Sequence, residues 1–323
     1  MTLAHAAAVL REHPRICVAC HEAPDGDALG SLIGCGLALR SAGWEVVLWA
    51  PGDAPLPADY AWLGYGELRR EPPADLAERL LLALDCGSAL RLGPEGASHV
   101  ATAATSINID HHADNTRFAD INVVDAEAAC ATILCRRLLA MLEIEPSAPV
   151  AEALYVGIVT DTGRFMFSNT NAEAHAIAGE LIALGVQPDL IFRRLYEGKP
   201  AARTRLLARA LSSLQLRADG QLAVACITID DLEQTGADEA DSEGVIDHLR
   251  AIEGVRVAAV IREPRADGGA RRKVSLRSAQ PEVDVARIAH AGGGGGHAMA
   301  AGFAMDADSA TIIALIESEL VRA

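Results

Sequence analysis

At 323 residues the chain is long enough for two ordinary domains and a large core. Half of the residues are hydrophobic and the formal net charge is −16, which argues against general affinity for nucleic-acid polyanions but leaves room for a small anionic substrate held by metal ions. No charge-free apolar run approaches the roughly 18–20 residues of a membrane span, and Arg11-Glu-His-Pro14 follows too soon for a secretory signal. The seven cysteines are scattered and mostly set among apolar residues, as suits a reduced cytoplasm. Cys17 and Cys20 form a lone C-x-x-C and read as strand residues rather than a redox or zinc pair.

Ile16–Cys20 reads as a short buried strand, and Ala28–Ala42 as a helix ended by Gly43. Further strands are expected at Glu45–Ala50, Leu80–Leu84, Ser106–Ile109 and Ile121–Val124, and helices at Ala126–Leu142, Pro149–Thr160 and Asn171–Leu184. Continuous apolar strands separated by helices imply an α/β fold with a mostly parallel sheet covered on both faces. The span from Gly185 to Arg205 holds Pro188 and Pro200 and no clear strand, so the domain boundary is expected there. The pattern then restarts with strands at Leu222–Ile227, Val255–Ile261 and Lys273–Leu276, and helices at Gly244–Ile252, Val283–Ala291 and Ala307–Val321. The resulting division is a large domain over 1–190, a linker over 191–208 and a smaller α/β domain over 209–323.

The chemistry collects where strands end. His21, Asp25 and Asp27 sit in a turn shaped by Pro24 and Gly26, and an imidazole with two carboxylates suits Mn²⁺ or Mg²⁺. Asp27 alone could equally be a helix N-cap. Asp85 directly follows Leu80–Leu84; it can bridge two metals or be an ordinary turn aspartate. Asp110-His111-His112 follows Ile107–Ile109 in the same manner. Adjacent histidines on an extended chain point apart, so one can ligate a metal while the other faces substrate. Asp161 closes a helical run, and Arg164 beside it could hold a phosphate oxygen or pair with Asp161.

Farther on, Gly292–Gly296, with Gly294, Gly295 and Gly296 leading into His297, expose backbone N–H groups of the kind that approach anions; a linker is the alternative. Between Arg256 and Arg277 basic residues outnumber acidic ones. Of these, Arg277 sits on a strand shortly before the glycines and is the one expected to reach the substrate.

Together, His21-x3-Asp25-x-Asp27, Asp85, Asp110-His111-His112, Asp161 within Thr-Asp-Thr-Gly-Arg-Phe, and Gly-Gly-Gly-Gly-His297-Ala-Met-Ala-Ala-Gly resemble the motifs of the DHH/DHHA1 phosphoesterase family, in that family's order. The similarity covers nearly the whole chain. The compact length and the opening histidine look like the members that degrade short RNA and dephosphorylate 3′-phosphoadenosine-5′-phosphate (pAp).

The resemblance implies a metal-binding N-terminal domain, a smaller substrate-binding domain, an active site in the cleft between them, and two divalent ions, Mn²⁺ above others. It implies one ion held by His21, Asp25 and Asp85, and a second by Asp27, Asp85, His111 and Asp161. His112 would face the scissile phosphate, Asp110 would orient a histidine, and Arg277 and His297 would bind substrate phosphate. The implied activity is hydrolysis of short RNA to mononucleotides, with removal of the 3′-phosphate from pAp. The rivals are cyclic or linear dinucleotide messengers, pyrophosphate or polyphosphate, and a non-catalytic nucleotide-binding module. The expected partner is a short oligonucleotide or nucleotide, not long duplex nucleic acid or a membrane; assembly is left open, with a homodimer among the options.

Overall fold

Apolar runs with strand period and helices between them build two units, Met1–Glu197 and Gly198–Ala323. The structure is a computed structural model and describes residues 1–264, 271–280 and 282–321. Arg265 and Asp267 of the basic stretch, and the His297 side chain, lie outside the described part. Among the described residues no helix is long and apolar enough to cross a membrane.

The strands of the first unit are β1 (Arg15–Ala19), β2 (Glu45–Trp49), β3 (Leu68–Arg69), β4 (Leu80–Leu84), β5 (Thr105–Asp110) and β6 (Ile121–Val124). Its helices are α1 (Leu3–Glu12), α2 (Gly26–Ser41), α3 (Gly96–Thr102), α4 (Ala131–Met141), α5 (Ala148–Asp161), α6 (Ala172–Ala183) and α7 (Pro188–Tyr196). The sheet runs β3-β2-β1-β4-β5-β6 and every pairing is parallel. Both faces are covered, which is why the central strand β4 reads as an unbroken apolar run. Ile16, Val18 and Cys20 enter the larger core with α1, α2, α4, α5, α6 and α7. Cys17 and Ala19 face a smaller cluster with Trp49, Leu81 and Leu92.

Strand order reverses between β1 and β4, and the carboxyl ends beside such a switch form the ligand crevice of open α/β sheets. Because the strands are parallel, residues just after β1, β4 and β5 emerge along one edge. A glycine ridge brings a fourth element there. A Cβ on Gly26 would meet the Thr160 side chain at 2.4 Å, one on Gly30 the Ala153 carbonyl oxygen at 2.5 Å, and one on Gly34 the Leu154 side chain at 2.9 Å. The spacing of four places these glycines on one face of α2, so α2 and α5 approach backbone to backbone. Running antiparallel, they set Asp161, at the end of α5, beside the start of α2.

The span expected as a linker, 191–208, is divided between the units. Ile191 and Leu195 of α7 pack into the first core, and Leu206 of α8 (Ala201–Ser212) into the second. The second unit continues with β7 (Gln215–Arg217), β8 (Leu222–Ile227), α9 (Ile229–Thr235), α10 (Val245–Arg250), β9 (Val257–Arg262), β10 (Arg272–Ser278), α11 (Val285–Ala291), β11 (Gly295–His297), β12 (Ala300–Met305) and α12 (Ser309–Leu320). Its mixed sheet has the order β11-β12-β10-β9-β8-β7, with Val257, Ala259 and Ile261 in one core and Ala258 and Val260 in the other.

Part of the glycine run is strand, not the linker that was the alternative. Gly295–His297 forms β11 and pairs with β12. A Cβ on Gly294 would fall 2.1 Å from the Gly302 carbonyl oxygen, and one on Gly292 would run into the Phe303 ring. Close strand packing, not only exposure of N–H groups, therefore demands glycine at these positions.

Candidate metal centre

The four polar segments singled out in the first unit converge. Three overlapping groups of ligand atoms each lie within 4.8 Å: His21, Asp25 and Asp85; Asp27, His111 and Asp161; and Asp85, His111 and His112. His21 Nε2 stands 3.6 Å from Asp85 Oδ2, and His111 Nε2 stands 3.5, 3.9 and 4.0 Å from Asp85 Oδ1, Asp161 Oδ2 and Asp27 Oδ2. His21, Asp27, Asp85 and Asp110 are all buried.

Each carboxylate is held by its local structure. Asp25 is the N-cap of α2 and accepts from the N–H groups of Asp27 and Ala28. The cap expected as an alternative for Asp27 thus falls to Asp25, because the helix begins two residues earlier, at Gly26. Asp27 instead accepts from Ala131 N at 2.6 Å and Thr132 N at 2.9 Å, the first N–H groups of α4, where the helix dipole favours negative charge. Asp85 sits in the left-handed region at φ 58, a backbone cost that clusters at functional sites. Its N–H is pinned to the Ile109 carbonyl.

Two asparagines escaped the sequence reading. Asn108 donates to the Ala83 and Cys86 carbonyls, and Asn115 donates to Cys86 O, Asn108 Oδ1 and Asp110 Oδ2. The signal was the polar Asn108 between Ile107 and Ile109 in a buried strand, where burial demands partners.

The charges fit cations. Burial, with the Asp85 and Asp161 charges, pushes the Asp27 carboxyl well above its usual range. Burial likewise raises Asp161, to about 6. Burial would also raise Asp85, but the facing His111 and His21 imidazoles win and hold it below the ordinary carboxylate range. Burial would lower the His111 pKa; the facing Asp85 carboxylate and the Asp27 and Asp161 charges outweigh it and lift the group to about 10. Asp85 Oδ1 is buried without a hydrogen-bond partner. An orphaned carboxylate oxygen amid imidazole and carboxylate donors suits divalent cations that accept N and O ligands.

His112 stands apart. Its Nδ1 lies 2.8 Å from the buried Asp110 Oδ1, and that bond raises the imidazole pKa. Its side chain is 42% exposed, against 15% for His111, so the adjacent histidines divide inward and outward as the extended chain requires.

Arg164 does not pair with Asp161. Its guanidinium lies 5.1 Å over the Tyr196 ring and borders a cavity of about 520 Å³ lined by Tyr155, Phe165 and Phe192. Asp161 turns to His111 and to the Asn169 amide. In the second unit, Arg277 shares a cross-strand row with Ala258 and Ala300, and its Nη1 donates to the Leu276 carbonyl. On β9, opposite Lys273, Arg262, which was not singled out, is held by the Ser242 and Ser275 hydroxyls with no carboxylate partner among the described residues. Gly294, Gly295 and Gly296 approach β12 as described above.

Models of the DHH family, N-terminal domain, and of the DHHA1 domain match residues 15–158 and 219–321. The bifunctional oligoribonuclease and PAP phosphatase NrnA of Thermus thermophilus is 34% identical over 314 residues, 95% of this chain and 91% of that protein. The protein of the same name from Bacillus subtilis is 29% identical, over 87% of this chain and 86% of its own. A solved structure of an exopolyphosphatase-related protein from Bacteroides fragilis superposes with a TM-score of 0.89 at 25% identity, covering 99% of this chain and 95% of that one. The chain belongs to the DHH phosphoesterase family, with a DHHA1 domain as its second unit.

Proposed function

We propose that this metal-dependent phosphoesterase hydrolyses short RNA oligonucleotides to mononucleotides and removes the 3′-phosphate of pAp. The carrying observation is the pair of ligand groups joined through Asp85, supported by full-length similarity to proteins named for both activities. One cation would be held by His21, Asp25 and Asp85, and the other by Asp27, Asp85, His111 and Asp161. The grouping that includes His112 would need Nδ1, which Asp110 already holds. Mn²⁺ is the ion that the mixed imidazole–carboxylate set favours. Such ions, when bound, supply charge neutralisation and acidify water at the phosphate.

The chain's own residues do the rest. Asp110 fixes the His112 proton on Nδ1 and stabilises the imidazolium, so His112 Nε2 can hold a proton toward a phosphate oxygen or the leaving nucleoside oxygen. Arg277, Gly294, Gly295, Gly296 and His297 of the second unit, and Arg164 of the first, are proposed to bind substrate. The free thiols, six of the seven buried, suit the reducing cytoplasm.

The test is a rate comparison with Mn²⁺-loaded protein on dinucleotide RNA, longer RNA, pAp, cyclic dinucleotides, pyrophosphate and polyphosphate. Dinucleotides and pAp should be cleaved fastest. The exopolyphosphatase-related neighbour makes polyphosphate the second reading, and faster turnover of it would replace the first.

Metal binding should be pH-dependent with a definite sign. Below pH 10 His111 carries a proton, which a cation must displace, so proton release accompanies binding and affinity falls as pH falls. The fall should steepen near pH 6, where Asp161 also takes a proton. Mn²⁺ titrations at pH 6, 7 and 8, run in buffers of different ionisation enthalpy, check both statements; affinity independent of pH would contradict them.

A further inference from the structure

We infer that Arg91 is a further substrate-binding residue, its guanidinium taking a phosphate oxygen beside the His21 group. The inference rests on the two-ion reading above. Arg91 lies in a single turn of 3-10 helix, Ala89–Leu92, six residues beyond Asp85. That turn is rigid. Leu92 is buried, Arg91 N donates to the Ser88 carbonyl, and Gly96 packs so closely that a Cβ would fall 1.8 Å from the Ala89 oxygen. The turn is also tied to the metal loop, because Glu22 N donates to the Arg91 carbonyl at 2.7 Å.

The side chain is exposed, and its Nη2 reaches to 2.9 Å from His21 Nδ1. The same Nδ1 lies 2.8 Å from the Glu22 carbonyl oxygen. A carbonyl only accepts and a guanidinium only donates, so Nδ1 cannot satisfy both. His21 turns Nε2 toward Asp85. With a cation on Nε2, the remaining proton sits on Nδ1 and goes to Glu22 O, as histidine ligands ordinarily donate their other N–H. The Arg91 N–H then faces another N–H and loses its acceptor.

Among the described residues no carboxylate forms an ion pair with Arg91, and its one side-chain hydrogen-bond contact is the one to His21. A solvent-facing guanidinium with unmet donors, on a rigid turn at the edge of a cation site, selects a planar or tetrahedral oxyanion from solution. A phosphate ester already held by the ions is that anion, and the guanidinium fork matches its oxygens.

The experiment compares wild type, Arg91→Ala and Arg91→Lys in three measurements: Mn²⁺ binding without substrate, inorganic phosphate binding to the Mn²⁺-loaded protein, and KM and kcat on dinucleotide RNA. For Arg91→Ala, Mn²⁺ affinity should stay within about twofold while phosphate affinity falls and KM rises by about 10- to 100-fold, the scale of a charged hydrogen bond. Arg91→Lys should recover part of the loss, since it keeps the charge but not the fork. Loss of Mn²⁺ binding in Arg91→Ala would overturn the inference by making the residue a prop for His21, and so would unchanged phosphate binding. Wild-type protein that binds no Mn²⁺ would overturn the two-ion reading itself.

Discussion

Asp85→Ala is expected to lower turnover of dinucleotide RNA by about 10³-fold or more, since the stabilisation a cation gives a reacting phosphate is several kcal/mol. Asp85 is the group the two ligand sets share: its Oδ2 faces His21 and its Oδ1 faces His111. No neighbouring carboxylate can replace it, because Asp27 is already committed to the N-terminus of α4 and Asp25 to that of α2. Mn²⁺ titration should show both binding events weakened, not one. The fold should survive, because the orphaned Oδ1 contributes no hydrogen bond. Asp85→Asn, which keeps the side-chain shape, guards against a packing artefact, and circular dichroism checks both variants. Wild-type activity in either would sink the shared-ligand assignment.

Asp110→Asn is expected to lower kcat by about 10²- to 10³-fold, within the range of general acid–base catalysis, while Mn²⁺ affinity and KM change little. The carboxylate accepts from two donors, His112 Nδ1 on one oxygen and the Asn115 amide on the other. An asparagine must turn its own NH₂ toward one of them, so either the imidazole loses its fixed tautomer or the Asn115 network breaks. The pH dependence carries the sign. The Asp110 bond raises the His112 pKa, so in the variant this pKa falls, and the loss of activity as pH rises should begin at lower pH. A pH–rate profile of both proteins reads this directly. An unshifted alkaline limb, or a variant that loses Mn²⁺, would assign Asp110 to the metal site instead of to His112.

Much of the site was legible because its signals are local. An apolar run followed at once by His21, Asp85 or Asp110 marks a strand end, and parallel strands bring their ends to one edge. Leu80–Leu84, Ile121–Val124 and Leu222–Ile227 were read with the boundaries observed. Short or weakly patterned elements were missed, among them α1, α3, β7 and β12. The 3-10 segments over Ala58–Glu67 were missed too. The shorter ones do not repeat often enough at one period to stand out, whereas α1 holds helical spacing at Leu3, Ala6, Ala7 and Leu10 but half of that face is alanine.

What the amino-acid sequence determined by itself was the α/β class, the order of the longer strands and helices, and the chemical kinds of ligand placed at strand ends. These follow from neighbours in the chain: side-chain period, turn residues and runs of hydrophobicity. Tertiary structure alone decided which carboxylate caps which helix, since Asp27 serves α4 rather than α2. It decided that Gly26, Gly30 and Gly34 form the ridge that carries Asp161 to the site, that Arg164 meets Tyr196, and that Arg91 meets His21. Each of these partners is distant in sequence or out of phase with local periodicity. They meet only because burying both faces of the sheet leaves the helices few ways to pack.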